Sequence, residues 1–158
     1  MSCSDATINL ENVVTIKPDT TVGAAMDLLD QKNLRAMPVV DEKNVYVGMF
    51  GTRILLRRLL PTSGAVQSGS GSLHFAHGSS LSIVEHLLEI KNQPVADHMD
   101  SKVKPLHPEA PTWEAIRLLS ERESPLPVVS KENGVLLGII SDQSILSFLK
   151  EKAEQVSE

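Results

Sequence analysis

Aromatic side chains make up only 3% of the 158 residues, with one Trp, one Tyr and three Phe. The core must therefore be assembled from Leu, Val, Ile, Ala and Met, and almost no flat rings remain on which the bases of a single-stranded nucleic acid could stack. Basic runs are equally scarce. The longest is Arg57-Arg58, and the formal net charge is −5, which leaves no cationic footprint for duplex DNA or an acidic membrane. Neither nucleic acid nor membrane is expected as a partner. The single cysteine, Cys3, rules out an internal disulfide and suits a reducing, cytoplasmic setting. The first residues lack a basic segment followed by an apolar one, and no stretch reaches the ~18 apolar residues of a membrane span. These features lead to the expectation of a soluble, unprocessed chain. Its 41% hydrophobic and 22% charged residues suit one compact domain or two small halves.

What the chain does contain is an internal repeat. Pro18-Asp19-Thr20-Thr21-Val22 aligns with Pro108-Glu109-Ala110-Pro111-Thr112, and Val47-Gly48-Met49-Phe50 with Leu137-Gly138-Ile139-Ile140, both at an offset of 90 residues. Between them, Met37-Pro38-Val39-Val40 matches Leu126-Pro127-Val128-Val129. Val22, Ala25, Met26 and Leu29 fall on one helical stripe, repeated by Thr112, Ala115, Ile116 and Leu119. Thr20-Thr21 supply an N-cap, and Pro111 fits the first turn of the second copy. The apolar, β-branched runs that follow, interrupted by Asp41-Glu-Lys-Asn and Lys131-Glu-Asn-Gly134, predict strand pairs. Amphipathic helices then run from Thr52 to Leu60 and from Asp142 to about Lys152. The order is β-α-β-β-α, twice, and the halves are expected to pack together because neither covers both faces of its sheet alone.

Residues 61–72 are Gly/Ser-rich and read as a mobile linker. Ser82 and Glu85 have capping-box spacing, and Leu81, Val84, Leu87 and Leu88 form an apolar face, predicting an extra helix to about Lys91. Pro94 to Met99 leads into the second copy as a short helical segment. The expected division is 1–60, 61–93 and 94–158.

This pattern resembles the CBS domain, and two tandem copies resemble the Bateman module. The resemblance covers roughly residues 8–60 and 94–152 and rests most firmly on Val95-Ala-Asp-His-Met99 and Gly138-Ile-Ile-Ser141-Asp142. It implies an α/β (α+β) fold, two repeats related by an approximate twofold, and a flat disc-like homodimer. It also implies inter-repeat clefts that accept adenosine-type ligands such as AMP, ADP, ATP or S-adenosylmethionine. The positions that correspond to the family's ligand contacts are Thr15, Ala36-Met37-Pro38 and Gly48-Met49-Phe50 in the first copy, and Pro105, Pro125-Leu126-Pro127 and Gly138-Ile139-Ile140 in the second.

The departures are informative. Nucleotide-binding copies follow Gly-apolar-apolar with Ser/Thr, two variable residues and a ribose-binding Asp. The first copy has Gly51 and Ile54 there, and the second has Ser141 and Ser144. A hydroxyl accepts a weaker hydrogen bond than a carboxylate, so Asp142 would substitute only if its turn were re-aimed. Arg53, with Arg57 one turn later, is placed to reach a phosphate, whereas its counterpart Gln143 is neutral.

Each of these residues also has a plainer reading. Met37, Leu126, Ile139 and Ile140 suit a core, the arginines a solvated or dimer face, and Ser141 a helix N-cap. His74, His77, Glu85, His86 and Glu89 are the one candidate metal group, without fixed ligand spacing. Asp97-His98 lacks an identifiable nucleophile. Trp113 suits an interface anchor. The sequence thus points to a non-catalytic sensor with an adenine nucleotide in one cleft, the second repeat's for preference, acting on a separate regulated protein. The alternative is a dimerisation scaffold whose clefts are degenerate and filled by side chains, the 81–91 helix among them.

Overall fold

The computed structural model describes residues 1–60, 81–121 and 124–157. The linker at 61–72, His74 and His77 lie outside the described residues. Along the chain come β1 (Ile8–Asn9), α1 (Val22–Lys32), β2 (Ala36–Val40), β3 (Tyr46–Gly51) and α2 (Thr52–Leu59). Helix α3 spans residues 81–90. Then follow α4 (Thr112–Glu121), β4 (Leu126–Val129), β5 (Leu136–Ile140) and α5 (Asp142–Ser157), with a 3-10 turn at Val95–Asp97. The fold is mixed α/β, as the repeat predicts.

Local chemistry sets the boundaries. The Thr21 hydroxyl accepts from the Ala24 N–H at 3.1 Å, capping α1. At its other end Asn33 takes a left-handed conformation (φ 54°), and the Leu34 N–H returns to the Leu29 carbonyl at 2.9 Å. Pro111 does not enter the first turn of α4. It stands just before the helix, at the position Thr21 occupies in the first repeat, and its carbonyl accepts from Glu114 N–H. Helix α5 continues past Lys152 to Ser157. On α4 the buried stripe is Thr112, Ala115, Leu118 and Leu119, so Ile116 is turned outward next to Trp113.

The two repeats meet about an internal twofold that is visible in the hydrogen bonds. Val45 bridges Val135; the Tyr46 N–H donates to the Gly134 carbonyl at 3.0 Å, and the Leu136 N–H to the Asn44 carbonyl at 2.9 Å. These two bonds exchange places under the 90-residue offset. Behind them Val40, Val129 and Leu136 form a small buried cluster backed by Leu10 and Tyr46. Within each repeat, β2–β3 and β4–β5 are antiparallel, and single parallel bridges at Ile16–Val39 and Leu106–Val128 add one further edge.

The segments that precede the repeats are exchanged. Strand β1 does not join the first sheet; it pairs antiparallel with β5, and Cys3 and Ala6 are buried in the second repeat's core with Leu126, Ile140 and Phe148. Conversely, Ile90 and Val95 sit in the first repeat's core with Val22, Met37 and Phe50, while Asp100 and Met49 trade backbone hydrogen bonds at 2.8 and 3.0 Å. The glycine of each Gly-apolar-apolar motif lies where the exchanged segment passes. A Cβ on Gly138 would run into the Ile8 carbonyl oxygen and lie 2.6 Å from Thr7 Cγ2. On Gly48 it would lie 2.8 Å from Met99 Sδ. Each glycine is thus required by the close passage of the exchanged segment, its backbone at Gly138 and the Met99 side chain at Gly48, and not by backbone conformation.

A candidate ligand cleft between the repeats

A cleft of about 360 Å³ opens between the two halves. The first repeat contributes Ala36 and Met49 from its strands and Arg53 and Arg57 from α2; the second contributes Glu121, Ser124, Pro125 and Leu126. Asp100 and Val103, from the exchanged segment, complete the wall. The arrangement pairs an apolar slot (Met49, Val103, Pro125, Leu126) with two guanidinium groups and two carboxylates. Such a site can hold a flat apolar ring, accept hydroxyl protons and neutralise an anion.

Second contacts fix this wall. The Tyr46 hydroxyl donates to the Val103 carbonyl at 2.9 Å. Burial, reinforced by the charge of Asp100, pushes the Tyr46 phenol well above its ordinary range, so it remains a donor. Asp100 Oδ1 accepts from the Lys102 N–H at 2.9 Å, closing a turn. At the mouth, Arg35 and Asp142 approach to 3.7 Å, with both side chains more than half exposed, and Asp142 Oδ1 accepts from the Ser124 hydroxyl at 3.2 Å. The Asp142 carboxylate is therefore directed at Ser124 and Arg35.

Of the sequence-derived candidates, Ala36, Met49, Arg53, Arg57, Pro125 and Leu126 line this cleft. Met37, Pro38, Pro127 and Ile140 are fully buried among core side chains. Thr15, Pro105 and Ile139 are half-buried and stand outside the cleft wall, as do Ser141 and Ser144. The two serines bond each other reciprocally: the Ser144 N–H donates to Ser141 Oγ and the Ser141 N–H to Ser144 Oγ, each at 2.9 Å. They form a capping box at the start of α5. At the matching position of the first repeat, a side chain is sterically excluded: a Cβ on Gly51 would run into the Arg35 carbonyl oxygen and lie 2.6 Å from Ala36 Cβ. Ile54, in place of the ribose carboxylate, is 6% exposed and packed inward.

Helix α3 packs against the first core through Leu87 and Ile90 and contributes nothing to this cleft wall, so the extra helix is not its filling. His98 Nε2 bonds Gln93 Oε1 at 2.7 Å, and its carbonyl accepts from Arg58 Nε at 3.2 Å; no nucleophile adjoins it in these contacts. Among the described residues no group of three or more His, Cys, Asp or Glu is placed to hold a metal ion, and no helix is long and apolar enough to cross a membrane. Asp100, Val103, Glu121 and Ser124 carry no sequence signal of their own. They reach the cleft because the exchanged segment and the α4–β4 turn converge on α2.

The CBS domain family matches residues 6–61 and 95–151. Inosine-5'-monophosphate dehydrogenase of Methanocaldococcus jannaschii is 26% identical over 138 residues, 87% of this chain but 22% of that protein; the chain therefore spans about a fifth of its length. The CBS-pair protein CBSX2 of Arabidopsis thaliana superposes with a TM-score of 0.75 at 22% identity, covering 97% of this chain and 96% of that one. A structure of CBSX2 in complex with AMP gives 0.68 at 23% identity, covering 99% and 98%. CbpB in complex with c-di-AMP gives 0.64 at 18% identity, covering 98% and 91%.

Proposed function

We propose that this chain, a member of the CBS-domain family, is a non-catalytic regulatory module that binds an adenine nucleotide in the cleft between its repeats. The observation that carries the reading is the cleft itself, in which Arg53 and Arg57 face an apolar slot formed by Met49, Val103, Pro125 and Leu126. The AMP complex of CBSX2 and the c-di-AMP complex of CbpB, both alike in fold, support an adenine-type occupant. Because both repeats contribute to the wall, occupancy alters how the halves sit on each other, and that change is the signal. We further propose a cytoplasmic homodimer using the exposed α4 face at Trp113 (63% exposed) and Ile116, with a separate protein as the regulated partner. Sedimentation equilibrium tests the dimer.

A thermal-shift titration with AMP, ADP, ATP and S-adenosylmethionine tests the ligand. A ligand at a hundred times its Kd adds about 2.7 kcal/mol to stability and raises Tm accordingly. The second reading, a scaffold with degenerate clefts, is favoured by two observations: the steric exclusion at Gly51, and the commitment of Ser141 and Ser144 to each other. No shift with any of the four ligands at millimolar concentration would select it.

A further inference from the structure

We propose that the cleft continues into a second, cationic depression and that this makes the protein selective for nucleotides with two or more phosphates over nucleoside monophosphates. The proposal rests on the nucleotide-binding reading above. The depression, about 330 Å³, shares Arg57 and Asp100 with the cleft, so the two are neighbouring compartments of one groove. Their charge differs. In the cleft, Arg53 and Arg57 are balanced by Asp100 and Glu121. Beyond the shared Arg57 and Asp100, the depression adds two cations, Arg58 and Lys102, and, among the described residues, no further carboxylate in its wall.

The two added cations are positioned by the fold. Arg58 Nε donates to the His98 carbonyl at 3.2 Å, which anchors the guanidinium and leaves its two terminal NH2 groups for other acceptors. Lys102 is carried on the turn that its own N–H closes with Asp100 Oδ1. Among the described residues neither Arg58 nor Lys102 takes part in an ion pair. A base and ribose match the charge-balanced, partly apolar compartment. The phosphates beyond the first match the compartment with surplus cations, where charge-assisted hydrogen bonds are strongest. The same surplus disfavours a sulfonium such as that of S-adenosylmethionine.

The test is isothermal titration of the full chain with AMP, ATP and S-adenosylmethionine in a metal-free buffer, repeated on the double variant Arg58→Ala/Lys102→Ala. Both side chains are exposed, so the variant retains its core. We expect ATP to bind at least about tenfold more tightly than AMP; the double variant should lose that advantage while holding AMP within about twofold. Equal affinities for AMP and ATP, or a variant that weakens both alike, would overturn the second compartment and leave nucleotide binding standing. Absence of heat with every ligand would overturn both.

Discussion

Replacing Gly138 by Ala should destabilise the fold far more than the same change at its repeat partner Gly48, because different kinds of atom stand in the way. At Gly138 the new methyl meets the Ile8 carbonyl and Thr7 Cγ2, and backbone held in a strand pair cannot step aside without giving up β1. At Gly48 the nearest atoms are Met99 Sδ at 2.8 Å and Cγ at 3.1 Å, the end of a flexible side chain, with the Asp100 carbonyl at 3.2 Å. Overpacking a tight site costs about 1–3 kcal/mol. Gly138→Ala belongs at the top of that range, since relief there removes β1 pairing and uncovers Cys3 and Ala6, and Gly48→Ala at the bottom. For a chain of this size, the corresponding Tm losses are roughly 6–12 °C and 2–4 °C. Thermal unfolding followed by far-ultraviolet circular dichroism measures both. Equal losses, or a larger loss at Gly48, would refute the account of the motif as a crossing point for exchanged segments.

Three further outcomes follow from the contacts described. Tyr46→Phe deprives the Val103 carbonyl of its donor and should lower stability by about 1 kcal/mol. Because the folded phenol titrates above the unfolded value of 10.0, the wild type should lose stability as pH rises past that value, and the Phe variant should lack this slope when urea midpoints at pH 8.5 and 10.5 are compared. Burial and the nearby Arg58 charge hold the His98 imidazole below its usual range of titration, so the folded state resists the proton and stability should fall as pH drops below 6.5. His98→Gln should flatten that fall, and an unchanged acid limb would rule His98 out as its source. Ser144→Asp can still accept the Ser141 N–H, and position 144 stands outside the cleft wall. We expect nucleotide affinity to stay within about twofold by titration calorimetry; a gain of about fivefold or more would move the binding site to the second motif.

The fold was legible wherever local pattern decides structure. Apolar runs around Met37-Pro-Val-Val and Leu126-Pro-Val-Val became β2 and β4, and the Thr21 cap began α1. The resemblance to the CBS family, built on those same runs, agrees with the family match. Ile116 departs because Leu118 competes for the same buried face of α4, a contest that periodicity alone does not resolve. The cleft was half legible. Ala36, Met49, Arg53, Pro125 and Leu126 follow from repeat position, but Asp100 and Val103 arrive through an exchange of segments, and that exchange depends on contacts between residues far apart in sequence. The motif serines can be aligned from sequence, while their bond to each other is a property of the turn they occupy.

The exchange also separates the unit that repeats from the unit that holds together. Cutting the chain into residues 1–60 and 94–157 gives each half one copy of the repeat, yet each half so defined would lack a segment that fills part of its own core. Residues 1–60 alone would leave Val22 and Met37 without Ile90 and Val95; residues 94–157 alone would leave Ile140 and Phe148 without Cys3 and Ala6. The halves are consequently interlocked like clasped hands, and a force that parts them must first strip β1 from β5 and the Asp100 segment from Met49. Asp100 and Met49, the two sides of the second clasp, also line the cleft, so a ligand wedged between the repeats bears directly on that clasp.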